Sequence, residues 1–297
     1  MNLLIEAIGF GLVSASILAV ASVGFTFQFA TTNVLNLAYG AVMTSAAFIA
    51  YVCNVAGLNI WLALPVGGAF GAVASAALNR GLLAPYLRRG TPLFNMVLVT
   101  VAVGLIVEHV IQAVVGPSTF AYQMNDYGTY RFAGMVLTGL QLAIVGLSIV
   151  TMLFIHWLLR YTRLGRTMRA TAANRSLARA CGIRTERIID VAWLLSGLLC
   201  GMAGVILAMS LYSLTSSLGD AALVPIIATA ALGGIGSPYG AMLGAVIVGL
   251  ASEVVAGLTN PLYREIVAFG ILALVLLVRP TGLIAVASGT SANATNR

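Results

Sequence analysis

The chain has 297 residues, 60% hydrophobic and only 8% charged, and its formal charge of +7 comes from arginine because no lysine occurs. Soluble domains carry about a quarter of their residues charged, whereas residues 7–79 here carry no charge at all. Since a membrane span needs roughly 20 apolar residues, a soluble fold is excluded. The composition predicts an all-α polytopic membrane protein. The arginines sit in short loops between apolar runs, so they report orientation and not nucleic-acid binding. Cys53, Cys181 and Cys200 lack the spacing of a disulfide framework or a metal site. The first residues, MNLLIEAIGF, lack the basic region and cleavage site of a removable signal.

In chain order, residues 7–29 predict a first span rich in Gly, Ser and Ala, which let helices approach closely. The next stretch, 31–52, opens with Thr31, Thr32, Asn33, Asn36 and Tyr39 before Gly40. Polar groups are costly at membrane depth unless they face a cavity or a neighbouring helix. This predicts a break or re-entrant turn near 31–40 and then a helix to about Val52; an ordinary span with Asn residues bonding across helices is the alternative. Residues 58–79 predict a third span kinked at Pro65 and Gly67–Gly68, followed by a basic loop with Arg80, Arg88 and Arg89. Residues 92–115 form a fourth, with Glu108 and His109 near its outer end. The polar, aromatic loop 117–134 holds Tyr122, Asp126, Tyr127, Tyr130 and Arg131, and reads equally as an interfacial aromatic belt or a docking surface.

Residues 136–159 make a fifth span and lead into Arg160–Asp190, which holds eight of the fifteen basic residues. Short arginine-rich loops stay on the cytoplasmic side. Within it, MRATAANRSLARACG reads as one short helix with Ala170, Ala173, Leu177 and Cys181 as a narrow apolar stripe. Gly182 suits a left-handed C-terminal cap with Ile183 packing back, and Thr185–Glu186 suit a new helix start. A loop serving topology alone would need the arginines but not the stripe and cap, so a surface built for a cytoplasmic partner is the sharper reading, and a basic loop on anionic lipid the blander one.

A sixth span runs from about Ile188 to Leu211. Residues 221–233, interrupted by Pro225, are too short to cross upright. Then come GGIGSPYG at 233–240, a helix at 241–258 carrying Glu253, and a last span at 266–278 closed by Arg279 and Pro280. The total is roughly eight to nine membrane segments, some broken or re-entrant, in one domain over 1–279 with a disordered tail at 280–297. AYGAVMTSAAFIA at 38–50 echoes PYGAMLGAVIVGL at 238–250, and such paired broken segments point to an internal repeat and a transport path.

Four segments resemble one family: NLAYGAVMTSAAFIA, LGRTMRATAANRSLARACGI, GLLCGMAGVILA, and the LGGIGS…GAMLGA turn with Glu253 downstream. The chain is similar to the permease subunits of bacterial branched-chain amino acid ABC importers, the shorter of the two types that pair. The resemblance implies a multi-pass inner-membrane subunit and not an enzyme. It implies a second permease, two cytoplasmic ATPases and an external substrate-binding protein as partners, with ATP and Mg²⁺ held by the ATPases. It makes Arg163, Gly165, Arg166, Arg169, Ala170, Asn174, Ala178, Gly182 and Ile183 the ATPase-coupling loop. Asn33, Asn36, Tyr39, Gly40, Gly233, Gly234, Gly236, Ser237, Gly240 and Glu253 become candidates for the translocation path. Tyr39, Ala41 and Asn174 depart from the family pattern, where His or Gln, an acidic residue, and Asp or Glu are usual. No phosphate-binding Gly-x-x-x-x-Gly-Lys loop exists, so energy must arrive by contact. Urea, amides or small organic acids remain alternative substrates, and an ion-coupled secondary transporter an alternative class. An embedded enzyme is disfavoured, because His109 and His156 have no acidic cluster in sequence.

Overall fold

The computed structural model describes residues 2–124, 127–132, 135–279 and 282–283. In chain order these form α1 (Asn2–Thr32), α2 (Tyr39–Val55), α3 (Ile60–Leu78), a π turn (Asn79–Leu83), α4 (Ala84–Arg88) and α5 (Leu93–Val115). A hairpin of β1 (Thr129–Phe132) and β2 (Met135–Thr138) precedes α6 (Gly139–Tyr161), α7 (Arg163–Ala173) and α8 (Arg175–Ala180). The chain continues as α9 (Thr185–Leu211), α10 (Leu218–Gly233), α11 (Pro238–Leu258) and α12 (Tyr263–Val278). Among the described residues six helices are long and apolar enough to cross a membrane: α1, α3 with its extension to Leu87, α5, α6, α9 and α11. α2 and α10 are shorter apolar helices. Asp126 and the tail from Pro280, apart from Gly282 and Leu283, lie outside the described residues.

Two antiparallel crossings build the frame, and both are made of small residues. Where α3 meets α9, a Cβ at Gly71 would come within 3.0 Å of Gly201 Cα, and Gly197 lies against the Gly71 backbone. One turn on, Gly67 and Gly68 face Gly201. Where α1 meets α11, a Cβ at Gly249 would sit 2.6 Å from Ala15 Cα, and one at Gly11 3.0 Å from a Leu250 methyl. In lipid, helices gain little from burying apolar surface, so close backbone packing supplies much of the association. α3 stays helical through Pro65, Gly67 and Gly68, and the two glycines form close contact surface with α2 and α9.

The ends of the bundle can be told apart. Arg80 of the π turn pairs with Asp190 of α9 at 2.8 Å, and Tyr239 at the start of α11 meets His156 near the end of α6 at 3.2 Å. The end of α3, the α6–α9 arginine segment and the start of α11 therefore share one end. At the opposite end the expectation of an all-α chain needs correcting, because the loop after α5 folds into the β1–β2 hairpin. Tyr130 faces Leu137 across it, an aromatic–aliphatic pairing that suits a half-buried ribbon. The loop is packed down: Tyr122 donates to the Ala47 carbonyl at 2.9 Å and Trp61 Nε1 to Tyr127 Oη at 2.9 Å, while Phe120 bridges to Leu214. Burial pushes the Tyr122 phenol up.

Gly71→Val and Gly201→Val are each expected to destabilise the protein by about 1–3 kcal/mol, the usual cost of overpacking. Gly146→Val, where an added Cβ meets nothing within 4 Å, should leave the thermal midpoint in detergent unchanged. Equal midpoints for all three would contradict the packing account.

Candidate functional site

At the arginine end, α6 turns sharply into α7. Gly165 lies against the Leu158 and Leu159 carbonyls, where no side chain fits. Thr162 caps α7 by accepting from Gly165 N at 3.2 Å, and the Arg169 guanidinium donates to the Leu159 carbonyl. The single helix expected over MRATAANRSLARACG is in fact two. Asn174 ends α7 with extended backbone and caps α8, accepting from Leu177 N at 3.0 Å. A short polar side chain that competes for backbone donors explains the break. The C-terminal cap is as expected: Gly182 has φ +82, its N–H donates to Arg179 O, and Ile183 N donates to Ala178 O, a Schellman motif. Thr185 begins α9 without capping it; its hydroxyl instead accepts from Arg179 Nε at 2.9 Å.

The faces of this helix pair differ in what they touch. Gly165, Met168, Thr171 and Ala178 are buried against the bundle. Ala170, Ala173, Leu177 and Cys181, the expected stripe, are all exposed, Leu177 by 62%, but the break at Asn174 divides them between the two helices. Arg163, Arg166 and Arg169 are exposed beside them. An apolar stripe edged by arginines on a tightly capped unit has the form of a docking face. Between the π turn, α4 and the α8–α9 corner lies a cavity of about 830 Å³ lined by Arg80, Arg175, Arg179 and Arg187 with Glu186 and Asp190. Burial and then the adjacent Arg179 charge lower the Arg175 pKa, with Glu186 opposing.

The expected break is present and runs from Asn33 to Ala38. Asn33 is exposed and left-handed at φ +55, a conformation Asn tolerates at a helix end. Inside the bundle the freed backbone finds side chains. Leu37 N donates to Thr100 Oγ1 of α5 at 3.1 Å, and Asn36 accepts from Ala38 N. Asn36 Nδ2 donates to Gln28 Oε1 at 2.8 Å, and Gln28 Nε2 to Ser75 at 2.9 Å. The ordinary-span alternative is therefore wrong; Asn36 reaches a second helix only through Gln28, which bonds Ser75 of α3. Tyr39 opens α2 fully buried, donating to the Ala21 carbonyl at 2.8 Å and stacking edge-on with Phe25. Gly40 abuts Gly219 at the start of α10, and Gly240 abuts Gly233 at its end. Gly234 and Gly236 have φ +105 and +100, and Ser237 caps α11 through Gly240 N.

Of the expected path residues, Glu253 borders a cavity. This partly open space of about 510 Å³ is lined mainly by α1, α9, α10, α11 and α12. Glu253, 6% exposed, accepts from Ser14 at 2.6 Å and from Arg264 Nη2 at 2.8 Å. Sequence reasoning found no partner for it, because Ser14 lies 239 residues away. It also missed Gln28, Ser75 and Thr100 as partners of the break, and the closeness of Asp220 of α10 to Glu108 and His109 of α5. Polar residues within apolar spans were the available signal.

Asn36→Ala leaves Gln28 Oε1 and Ala38 N without these partners and is expected to cost about 1–3 kcal/mol. Asn33→Gly, which keeps the left-handed turn, should stay close to wild type. Thermal unfolding of the purified variants distinguishes them, and an unchanged Asn36→Ala would contradict the network.

A model of the branched-chain amino acid transport system permease component matches residues 7–276. The high-affinity branched-chain amino acid transport system permease proteins LivH of Escherichia coli K12 and BraD of Pseudomonas aeruginosa are 26% and 28% identical. Each alignment covers 92% of this chain and 93% of the relative. The probable branched-chain amino acid transport permease protein LivH of Methanocaldococcus jannaschii is 26% identical over 92% of this chain and 90% of its own. Among solved structures, a chain of PsaBC from Streptococcus pneumoniae in complex with Fab superposes with a TM-score of 0.51 at 14% identity, covering 92% of this chain and 91% of that one. That likeness concerns the fold alone. With its capped arginine-end helix pair and its six apolar helices, the chain belongs to the permease-component family of branched-chain amino acid transport systems.

Proposed function

We propose that this chain is a pore-forming subunit of an ATP-driven inner-membrane importer for branched-chain amino acids. It works with a second permease, two cytoplasmic ATPases and an external binding protein. ATP and Mg²⁺ reside on the ATPases, and this chain supplies neither cofactor nor catalysis. The observation that carries the reading is the family match over 7–276 together with the exposed stripe on α7–α8. In this reading α2, α10 and α12 complete nine membrane segments, and the arginine end faces the cytoplasm. The stripe, with Arg163, Arg166, Arg169 and Asn174, seats in an ATPase groove. Gly165, Ala178, Gly182 and Ile183 hold its shape.

The translocation path runs beside α10, past Asn33, Asn36, Tyr39 and Gly40 on one side. On the other it passes Gly233, Gly234, Gly236, Ser237 and Gly240, with Glu253 above. Two Tyr-Gly-Ala helix starts resting on one short helix support both this path and the internal repeat. Ion coupling is the competing reading, favoured by the Glu108–Asp220 pair beside His109.

With the complete complex in liposomes, Leu177→Glu and Ala173→Glu are expected to lower ATP-driven leucine uptake by roughly tenfold or more, as for a hot spot at a docking face. The thermal midpoint of the chain should not change, because both side chains are exposed. Full uptake by both variants would contradict coupling through this face. Uptake that ignores ATP and follows a proton gradient would favour the ion-coupled reading.

A further inference from the structure

An ion pair that only tied α11 to α12 would need no cavity beside it, yet Glu253 and Arg264 border about 510 Å³. That is within the roughly 300–1,000 Å³ of small-molecule sites. Arg264 is half exposed at the start of α12, with one of its guanidinium donors engaged, whereas Glu253 is buried. The cavity is thus bordered by one half-exposed and one buried charge, both at the end of the bundle away from the arginine cluster. Next to Glu253, the Ser252 hydroxyl is buried, lines the cavity and has no hydrogen-bond partner. A buried polar group left unpaired costs free energy unless something arrives to meet it.

On α10, Ala221 and Pro225 also line the space, and Pro225 has no N–H to give the Ala221 carbonyl. The remaining wall is apolar, with Phe10, Ile17, Leu18, Leu207 and Ile226. A guanidinium, the buried Glu253 carboxylate with Glu265 as a second one at the lining, spare hydroxyl and carbonyl groups, and a greasy wall together match one ligand chemistry. Two opposite charges on one carbon, with an aliphatic side chain, fit it.

We propose that this cavity receives a zwitterionic aliphatic amino acid: Arg264 takes the α-carboxylate, Glu253 and Ser252 the α-ammonium, and the α1–α9–α10 wall the side chain. The proposal rests on the importer reading above. On arrival the ligand divides the Glu253–Arg264 pair, each charge exchanging its protein partner for a ligand partner. Neither charge is left buried alone, which would be the costly state.

The test uses the assembled complex in nanodiscs, with Cys53→Ala and Cys181→Ser removing the accessible thiols. Ser210→Cys and Ser217→Cys, at two positions lining the cavity, report reaction with a charged methanethiosulfonate added from the outside. Leucine is expected to slow both reactions at a concentration at least tenfold below that needed of isoamylamine, which lacks the carboxylate, or of 4-methylpentanoate, which lacks the ammonium. Arg264→Gln should remove protection by leucine while isoamylamine still protects, a ligand-specific pattern that a merely structural ion pair would not give. Reaction rates unaffected by leucine, or leucine protection unchanged in Arg264→Gln, would overturn the proposal. Reporters that never react would overturn it too, since a receiving site must be reachable from water. ATP-driven uptake by the same complex tests the importer reading separately, so the two can fail independently.

Discussion

Everything in this bundle depends on helices touching backbone to backbone. In a bilayer, lipid tails are as apolar as leucine, so an apolar helix gains little by leaving lipid for protein. What remains is dispersion over closely approached surfaces, and dispersion fades within an ångström of extra gap. The α3–α9 and α1–α11 crossings meet this constraint with glycine and alanine at facing turns. Bulky residues such as Phe94, Val114 and Leu277 are left on the outside. The same device recurs where Gly40 and Gly240 rest on α10, so the short helix is gripped near both ends.

Close packing also makes the broken segment tolerable. Six residues without helical structure would leave backbone donors stranded in an apolar interior. Thr100 of α5 accepts from Leu37 N and Asn36 from Ala38 N, while Gln28 of α1 and Ser75 of α3 hold the Asn36 side chain in place through a chain of side-chain hydrogen bonds. Tyr39 then begins α2 among Phe25, Leu199 and Cys200, in a core that continues through Trp193 and Ile155 to Met168 of α7. The buried side of the arginine-end unit and the break therefore belong to one contiguous packed region, while the other side of that unit carries the exposed stripe.

Much of this was legible in the amino-acid order, for local reasons. The break showed because Asn and Thr are out of place in an apolar run, and the Gly182 cap because a left-handed cap strongly favours glycine. The small-residue content of α1 announced close packing, although not which helix would be the partner. Long-range matters stayed hidden. Nothing near Glu253 in the chain points to Ser14, and nothing near Asp220 points to Glu108. Asn174 was noted as a departure from the family pattern, but its double role as the end of one helix and cap of the next depends on a backbone angle. The hairpin was overlooked because Thr129–Thr138 is short and half polar, and its order comes from packing against the ends of other elements.

The central claim is that the exposed side of α7–α8 is where the ATPases bind. Cys181 sits on that stripe and is exposed, whereas Cys200 is buried. With Cys53 replaced by alanine, maleimide labelling of Cys181 would be followed in the two-permease assembly with and without the ATPase subunits. Strong slowing of labelling when the ATPases are bound is the expected result. Equal labelling, with the ATPases shown to be bound, would mean that energy enters this protein somewhere else.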